Sequence, residues 1–491
     1  MTRIICVSNR VSLPDPQTGE IKAGGLAVGV KAALECAGGG LWIGWDGSVF
    51  NPDAGQKRKE NTIEQDSISF LTFPLSQKEY DGYYKAMANE RLWPLMHELG
   101  EHIEDRRGTF EMYRRVNKLF ARMMKPHLRP GDIIWVHDYH LMLLGQELRA
   151  LGVKNKIAYF HHIPMPHFDF IQGTYVPKVL KQRFYQLIKA LFSFDLVGLQ
   201  SFRDFKNLRS CIGHEAVLPP RYKSVPVTYD AYKTHIGVFP ISVETGALMR
   251  KARRSAQEFS EIRHESEEYK IIIGAERLDY TKGLTERLEG FSEFLTQNPE
   301  YQNRVIYHQI TPLSRSDIEE YQAIIEQTRE TVERIQQEFG DANWRPISYT
   351  EECVPRDRLF DGFRHSDVGL VTPLIDGQNL VAKEYLAAQD PLDPGMLVLS
   401  RNAGAAEELE SLGALCVDPN NPADIAQKIE MALGMELGER RECYRRAVTH
   451  LYRYDINFWA ESFISEVREI ESAEENFSAS GILLSGCADL N

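Results

Sequence analysis

Two short runs in the second half of the chain place charged side chains and glycine where a strand-like pattern gives way to a helix-like one. Residues 276–283 present two cations, Arg277 and Lys282, in one loop. Residues 376–384 begin with a carboxylate and a glycine and continue into a predicted helix. Two cations on a loop can clamp a diphosphate and stabilise it as it leaves. Free amides at a helix start favour anions or sugar hydroxyls. Together the runs predict a site for a diphosphate that carries a sugar.

Each run also has a simpler explanation. Residues 276–283 could form a solvated charged turn whose own carboxylates pair with both cations. Residues 376–384 could form an Asp-Gly turn that caps a helix. In the binding interpretation, Asp376 accepts hydrogen bonds from sugar hydroxyls. Glu384, about one turn into the helix, binds ribose hydroxyls.

The first half of the chain offers residues for a second anionic ligand. Arg10 ends the first predicted strand, residues 13–23 form a loop with Pro and Gly, and Gly24 and Gly25 open a helix. This arrangement is typical of a phosphate-responsive lid, although an ordinary surface loop fits equally well. The run contains neither the dinucleotide-binding fingerprint nor the P-loop motif, so it supports neither kind of site.

Polar side chains follow two further predicted strands. Asp138 comes directly after residues 132–137, and His162 lies near the end of residues 156–163. Several histidines occur in these runs, but carboxylate partners are too few and the spacing fits no standard metal site. We therefore expect no metal, and we assign Asp138 and His162 to hydrogen bonds with sugar hydroxyls.

Three more side chains are candidates for binding a sugar phosphate. Tyr84 and Trp93 supply aromatic surface that can pack against a sugar ring, although most aromatic side chains are core residues. Arg315 follows a predicted strand of the second half, from which it could reach an acceptor phosphate across a cleft.

Strand-like and helix-like patterns alternate along the whole chain. Such alternation predicts parallel sheets covered by helices on both faces, with ligands at the carboxyl ends of the strands. We predict strands at 4–8, 132–137, 156–163, 195–199, 235–239, 269–275, 304–310, 368–370 and 396–399, and helices at 26–36, 141–151, 284–296 and 316–339.

At 491 residues the chain is too long for one typical core, so two or three domains are expected. The alternating pattern predicts two Rossmann-like domains that face each other across a cleft. We expect an acceptor-binding domain at 1–240 and a nucleotide-sugar-binding domain at 241–455. A helix at 456–475 is expected to pack back on the first domain, and 476–491 form a tail.

Composition excludes several classes of protein. A net charge of −13 argues against nucleic-acid binding. The seven cysteines form no C-x-x-C pair, which argues against a disulfide framework or a zinc site and fits a reducing cytoplasm. No run approaches the roughly 20 apolar residues of a membrane span. We expect a cytoplasmic enzyme that acts on small molecules and forms a homo-oligomer, without membrane contact.

Taken together, these runs resemble the retaining glycosyltransferase family of trehalose-6-phosphate synthases. The resemblance extends from residues 7–10 to residues 455–459, and its most specific parts are 24–29, 135–141, 276–284, 366–373 with 376–390, and 397–408. It implies the B-type glycosyltransferase (GT-B) fold. It also implies transfer of glucose from UDP-glucose to glucose 6-phosphate, which gives trehalose 6-phosphate and UDP without a cofactor.

The resemblance also implies roles for matching residues. Arg277, Lys282, Asp138 and His162 would be the catalytic residues. The donor would be bound by Gly25, Arg277, Lys282, Arg364 beside the uracil, Asp376, Gly377, Gln378, Asn379, Leu380 and Glu384. The acceptor would be bound by Arg10, Tyr84, Trp93, Asp138 and Arg315.

The family retains anomeric configuration without an evident enzymic nucleophile, and front-face substitution is the usual proposal. Positioning and electrostatics then account for the catalysis. This chain departs from the family pattern at Gln378, where many relatives have Met, at residues 239–243, and at His161 and Met165 beside His162. These positions leave donor preference open.

Three other functions compete with this prediction. A sister enzyme could use another acceptor, as in a glucosylglycerol-phosphate synthase or a pseudoglycosyltransferase. A non-catalytic sugar-phosphate sensor could share the fold, but the two cations and Glu384 are all retained. An NAD-dependent oxidoreductase is disfavoured because the dinucleotide fingerprint is missing.

Overall fold

The computed structural model describes residues 2–15, 25–104, 108–213, 217–230, 232–258, 261–314 and 319–470. These residues divide into two compact units. The first contains the chain up to Phe239 and resumes at Trp459, and the second is Pro240–Phe458. The predicted tail at 476–491 lies outside the described residues.

The first unit is built on a nine-stranded sheet with the strand order β3-β4-β2-β1-β5-β6-β7-β9-β8. Only the edge strands β3 and β8 run antiparallel to their neighbours. The first four residues of β1 are fully buried, which shows that both faces of the sheet are covered at its centre. The strands are β1 Ile4–Arg10, β2 Gly40–Phe50, β3 Asn61–Gln65, β4 Ile68–Ser76, β5 Ile133–His137, β6 Lys156–Phe160, β7 Leu196–Leu199, β8 Ser224–Tyr229 and β9 Tyr232–Val238.

The helices of the first unit include a π-helix, Tyr80–Leu92, whose wider turns run without a break between two short α-helices. Such helices are rare and are frequent at functional sites. The α-helices are α1 Gly25–Cys36, α2 Gln77–Glu79, α3 Trp93–Met96, α4 Thr109–Met124, α5 Leu144–Ala150, α6 Phe168–Gln172, α7 Lys178–Leu191 and α8 Phe202–Cys211.

The second unit is built on a six-stranded, wholly parallel sheet with the order β12-β11-β10-β13-β14-β15. Its strands are β10 Lys270–Ala275, β11 Val305–Ile310, β12 Ile347–Thr350, β13 Val368–Val371, β14 Met396–Ser400 and β15 Leu415–Val417. Its helices are α9 Thr245–Glu258, α10 Glu261–Glu268, α11 Leu284–Gln297, α12 Glu319–Phe339, α13 Arg356–His365, α14 Leu380–Ala388, α15 Ala406–Leu409, α16 Pro422–Gly434 and α17 Leu437–Arg453.

Alternation along β14 shows that helices cover both faces of this sheet. Leu397 and Leu399 belong to a core cluster that contains residues of α9, α13 and α14. Met396 and Val398 belong to a second cluster with residues of α11, α12 and α16. Because successive side chains of a strand point to opposite faces, the two clusters lie on opposite sides of the sheet.

The last helix, α18 Ile456–Glu469, packs on the sheet of the first unit from Trp459 onward. The Trp459 ring lies 5.1 Å from that of Trp135, and Phe463 stacks on Trp135 at 4.5 Å. Lys156 Nζ donates to the carbonyls of the last helical turn, including that of Arg468 at 2.8 Å. These contacts attach the helix through its aromatic face and through its end.

The predicted α/β architecture of two largely parallel sheets is confirmed. Strands β2, β3, β4 and β8 were not predicted, and they make one side and both edges of the first sheet. The edge strands β3 and β8 are exposed or half-buried for most of their length, so they lack the continuous apolar pattern of a central parallel strand. None of the described helices is long and apolar enough to cross a bilayer.

Candidate functional site

The structure brings the two charged runs together at the carboxyl edge of the second sheet. Strands β10 and β13 are neighbours, and residues 276–283 and 372–379 follow them directly. Lys282 Nζ lies 2.5 Å from Asp376 Oδ2. Asn379 Nδ2 donates to the same carboxylate oxygen at 3.3 Å. The cation of one run is thus held against the carboxylate of the other.

Two glycines allow these loops to approach each other. Gly283 has a φ of +63°, and a Cβ there would lie 2.4 Å from the Thr372 carbonyl oxygen. A Cβ at Gly404 would lie 1.9 Å from the Gly377 carbonyl oxygen. Both positions exclude larger residues, because such distances are far below van der Waals contact.

Arg287 holds the cation loop in place and was not predicted from the sequence. Its side chain is fully buried on α11 and pairs with Glu276. It also donates to the Lys282 carbonyl oxygen at 3.1 Å and to Thr372 Oγ1 at 2.9 Å. Burial opposes the charged form of Arg287, but Glu276 and Tyr307 together raise its pKa. A buried arginine three or four positions into a helix resembles any surface arginine in sequence, so no signal could have identified it.

Arg277 differs from Lys282 in being exposed. Among the described residues its side chain makes no hydrogen bond or ion pair. An unpaired guanidinium beside a paired ammonium can receive a diphosphate, because its planar fork matches two phosphate oxygens.

Glu384 lies on α14, which begins at this same edge of the sheet. Its Oε1 accepts from Arg356 Nη2 at 2.9 Å. Burial raises the pKa of Glu384, and Arg356 partly opposes that shift. A carboxylate fixed in this way can accept hydrogen bonds from vicinal hydroxyls. Arg356 was not predicted.

The residues between Asp376 and α14 form the loop that starts this helix. Asn379 has a φ of +79° and caps α14 by accepting from the Ala382 amide at 3.3 Å. Gly377 and Gln378 are buried, and Leu380 is the first residue of the helix. The Gln378 side chain points to Glu408 and leaves only the backbone of this residue for a ligand.

Arg364 is not brought to this edge. It lies in the last turn of α13, before β13 begins, and therefore at the amino edge of the sheet. Its guanidinium donates to Asp390 Oδ2 at 2.7 Å and to the Gln389 carbonyl oxygen at 3.3 Å. The structure gives Arg364 a role in joining the ends of two helices.

A second group of predicted residues meets in the first unit. Arg10 is the exposed last residue of β1, and its Cζ lies 5.9 Å from the Trp45 ring centroid. The Tyr84 ring lies 5.4 Å from Trp45 and stacks on His140 at 6.0 Å. A Cβ at Gly47 would lie 2.7 Å from Arg10 Nη2, so Gly47 leaves room for the guanidinium.

The π-helix positions the aromatic residues of this group. Tyr84 lies within it and is partly exposed, and Trp93 begins the α-helix that follows. Trp93 is buried and packs on Tyr139, with 5.8 Å between ring centroids. Tyr139 follows Asp138 directly, so Trp93 supports the loop that carries this carboxylate.

Asp138 and His162 end neighbouring strands of the first sheet. The Asp138 Oδ1 accepts from the His162 amide at 3.2 Å. Asp138 has φ 75° and ψ 167°, a conformation that is essentially restricted to glycine. Strain of this kind costs about 1–3 kcal/mol and persists where the surrounding structure enforces it. The carboxylate is thus held in a costly position at the edge where the predicted acceptor residues meet.

Asp138→Gly is expected to be more stable than Asp138→Ala by about 1–2 kcal/mol, because only glycine adopts this conformation without strain. Urea unfolding of both variants measures the difference. The control is Glu442, an exposed helical residue. There the alanine variant should be more stable than the glycine variant, because glycine is the poorer helix former. An alanine variant of Asp138 as stable as the glycine variant would show that the backbone is not strained.

Three histidines near this edge are kept neutral by their surroundings. Burial lowers the pKa of His137 to about 3 and that of His161 to about 4. Burial, then His137 and His161, lower the pKa of His162 well below its usual value. His137 Nδ1 lies 3.1 Å from His162 Nε2, so one ring donates to the other. These neutral imidazoles therefore add no positive charge at this edge.

These histidines make stability depend on pH. The folded pKa values lie below the unfolded value of about 6.5, so the unfolded chain binds more protons and stability falls as pH drops below about 6.5. For His161 the loss between pH 7.5 and 5.5 is about 1.4 kcal/mol. Urea unfolding at both pH values should show a smaller loss for His161→Gln than for the parent protein. His167→Gln, which removes an exposed histidine, should match the parent protein, and equal losses in all three would refute this origin.

Two predicted positions cannot be placed fully. Gly25 begins α1, but Gly24 and most of the predicted lid lie outside the described residues, as does Arg315. Within the described ranges, no group of three or more His, Cys, Asp or Glu side chains is arranged to hold a metal ion.

Comparisons with known proteins find similar sequences and structures over almost the whole chain. Residues 3–469 match the model of glycosyltransferase family 20. A curated trehalose-6-phosphate synthase from Cronobacter sakazakii is 39% identical over 473 residues, covering 96% of either chain. A Burkholderia xenovorans trehalose-phosphate synthase (UDP-forming) in complex with glucose-6-phosphate has a TM-score of 0.88 at 36% identity, covering 95% of this chain and 100% of that one. An Escherichia coli structure bound with UDP-2-fluoro glucose has a TM-score of 0.84 at 36% identity, covering 96% and 100%.

Proposed function

Because this chain belongs to glycosyltransferase family 20, we propose that it transfers the glucosyl group of UDP-glucose to glucose 6-phosphate. The products are trehalose 6-phosphate and UDP. The observation that carries this proposal is the pairing of Lys282 with Asp376 beside the exposed Arg277, at the carboxyl edge of a parallel sheet. Two cations and a carboxylate at that edge match a ligand with a diphosphate at one end and hydroxyls at the other.

The second unit binds the donor in this proposal. Arg277 and Lys282 hold the diphosphate, and Asp376 turns from Lys282 to the hydroxyls of the transferred glucose. Glu384, already fixed by Arg356, binds the ribose. The backbone of Gly377–Leu380 supplies amides at the start of α14, where anions and hydroxyls are favoured. Arg364 has no part in this assignment, because it lies at the opposite edge of the sheet.

The first unit binds the acceptor. Arg10 holds the phosphate, and the partly exposed Tyr84 packs against the sugar. Asp138 and His162 bind hydroxyls near the reacting atoms, and Trp93 acts by supporting the Asp138 loop. Arg315 remains a predicted contact of the acceptor phosphate.

The reaction breaks the bond between glucose C1 and the diphosphate oxygen and forms a bond from C1 to the acceptor hydroxyl. The acceptor proton passes to the departing phosphate, so no enzymic nucleophile is required. Arg277 and Lys282 stabilise the negative charge that develops on the diphosphate. Because its pKa is lowered, His162 is neutral and can hydrogen-bond a sugar hydroxyl without adding a positive charge to the site.

The test is UDP release from UDP-glucose, measured with and without glucose 6-phosphate. We expect release to depend on glucose 6-phosphate and trehalose 6-phosphate to accumulate in equal amount. Glycerol 3-phosphate and unphosphorylated glucose test the sister activities in parallel. Binding of both ligands without turnover would indicate a sensor, and release with another acceptor alone would overturn the proposal. Light scattering of the same preparation tests the predicted homo-oligomer.

A further inference from the structure

The side chain of Gln378 turns away from the edge of the sheet into the second unit. It is 3% exposed, and its Nε2 donates to Glu408 Oε2 at 2.9 Å. Its Oε1 is buried without a hydrogen-bond partner among the described residues. Placing the amide oxygen toward the Glu408 carboxylate instead would set two acceptors against each other. The contact to Glu408 therefore decides how this side chain is oriented.

Glu408 is the centre of a buried network. Its carboxylate lies 2.5 Å from Lys383 Nζ, and both side chains are 1% exposed. Lys383 Nζ also donates to the Ile241 carbonyl oxygen at 2.8 Å. A buried lysine and glutamate are stable only as a pair with further hydrogen bonds, and Gln378 and Ile241 supply those bonds.

The network joins three parts of the second unit that matter for the donor. Gln378 belongs to the loop that carries Asp376, and Lys383 precedes Glu384 on α14. Ile241 belongs to the segment that enters this unit from Phe239. The backbone reinforces the arrangement, because the Ala405 amide donates to the Gln378 carbonyl oxygen at 2.9 Å.

We propose that the side chain of Gln378 is a positioning group for the donor, which acts through Glu408 and does not itself touch the substrate. Its hydrogen bond sets the backbone of Asp376–Asn379, while the Lys383–Glu408 pair anchors that loop to α14 and to the segment at Ile241. The inference rests on the proposed function for its substrates. It goes further in naming a buried side chain as a determinant of donor affinity.

A charge exchange tests the contact. Gln378→Glu places a second carboxylate against Glu408, so the loop should be pushed out of position. We expect its KM for UDP-glucose to rise about tenfold or more, and its Kd for UDP, measured by calorimetry, to rise in parallel. KM for glucose 6-phosphate should change less than about threefold. The double variant Gln378→Glu with Glu408→Gln removes this repulsion but sets Lys383 against an amide, so it should recover only part of the donor affinity that the single variant loses.

Gln336→Met is the matched control. Gln336 also donates through Nε2, to the Ile347 carbonyl oxygen, and also has a buried, unpartnered Oε1, but it lies on α12 away from the loop. Gln336→Met should lower Tm without changing the KM for UDP-glucose or for glucose 6-phosphate. Gln378→Met should raise the KM for UDP-glucose about threefold.

The outcomes separate the inference from the proposed function. Unchanged donor constants in Gln378→Glu would overturn the positioning role. A parent protein that binds UDP but ignores glucose 6-phosphate would overturn the proposed reaction alone, since the UDP Kd values still test Gln378.

Discussion

Arg277→Ala and Lys282→Ala are each expected to lower turnover by about two to three orders of magnitude. Both cations lie on the loop after β10, where the proposed diphosphate leaves with its charge. Removing one preorganised charged donor typically costs this much, because water cannot replace it without reorganising. KM for UDP-glucose should change less than turnover, since charge on the leaving group grows as the bond breaks.

The fold should survive both changes. Arg277 is exposed and makes no ion pair with any of the described residues, so its replacement should cost less than about 0.5 kcal/mol. Lys282→Ala removes the cation that pairs with Asp376, but the Asp376 carboxylate still accepts a hydrogen bond from the side-chain amide of Asn379. Initial rates and thermal unfolding measured together distinguish a chemical effect from a folding defect.

Arg445→Ala is the matched control, because Arg445 is an exposed arginine of the same unit that pairs only with Glu442 on its own helix. It should retain full turnover. Near-normal turnover in both the Arg277 and the Lys282 variants would argue strongly against a donor diphosphate at this loop.

Arg287→Met is expected to destabilise the protein by about 3–5 kcal/mol, because it leaves the Glu276 carboxylate buried without its partner. Turnover should also fall, since Arg287 binds the Lys282 carbonyl oxygen and Thr372 Oγ1. Urea unfolding gives the free energy, and initial rates at a temperature where the variant is folded give the activity.

The double variant Arg287→Met with Glu276→Gln separates these two roles. It removes the unpaired charge, so we expect it to recover about half of the lost stability. Turnover should stay low, because neither new side chain anchors the cation loop. A cost below about 1 kcal/mol for Arg287→Met would show that the pair is not needed for folding, and full activity in the double variant would show that the loop needs no anchor.

Much of the candidate donor site could be predicted because its residues are close in sequence. Arg277 and Lys282 share one loop, and Asp376 and Glu384 lie within two turns of one helix start. The residues that hold them were missed because nothing in the local sequence marks them as buried partners of these loops. Arg287 looks like a surface residue of α11, and Glu408 comes from the next strand-to-helix connection after α14.

The case of Arg364 shows the opposite limit. The resemblance alone implied a place beside the uracil, but the structure puts Arg364 at the amino edge, paired with Asp390. Because Arg364 precedes the strand predicted at 368–370, and ligands bind at the carboxyl ends of parallel strands, the strand pattern gave no support to that role. Strands β2 and β3 were missed because their burial is mixed, whereas β4 was missed although it is buried along most of its length.

The amino-acid sequence by itself determined the α/β class, the two sheets and the residues that carry charge at the ends of β10 and β13. Periodicity and the strand-to-helix turns are local properties, so they can be read along the chain. Only the tertiary structure decided that Lys282 rests on Asp376, that Asp138 is held in a glycine-like conformation, and that Gln378 turns inward to Glu408. These contacts depend on which loops meet at a sheet edge, and long-range packing sets that arrangement.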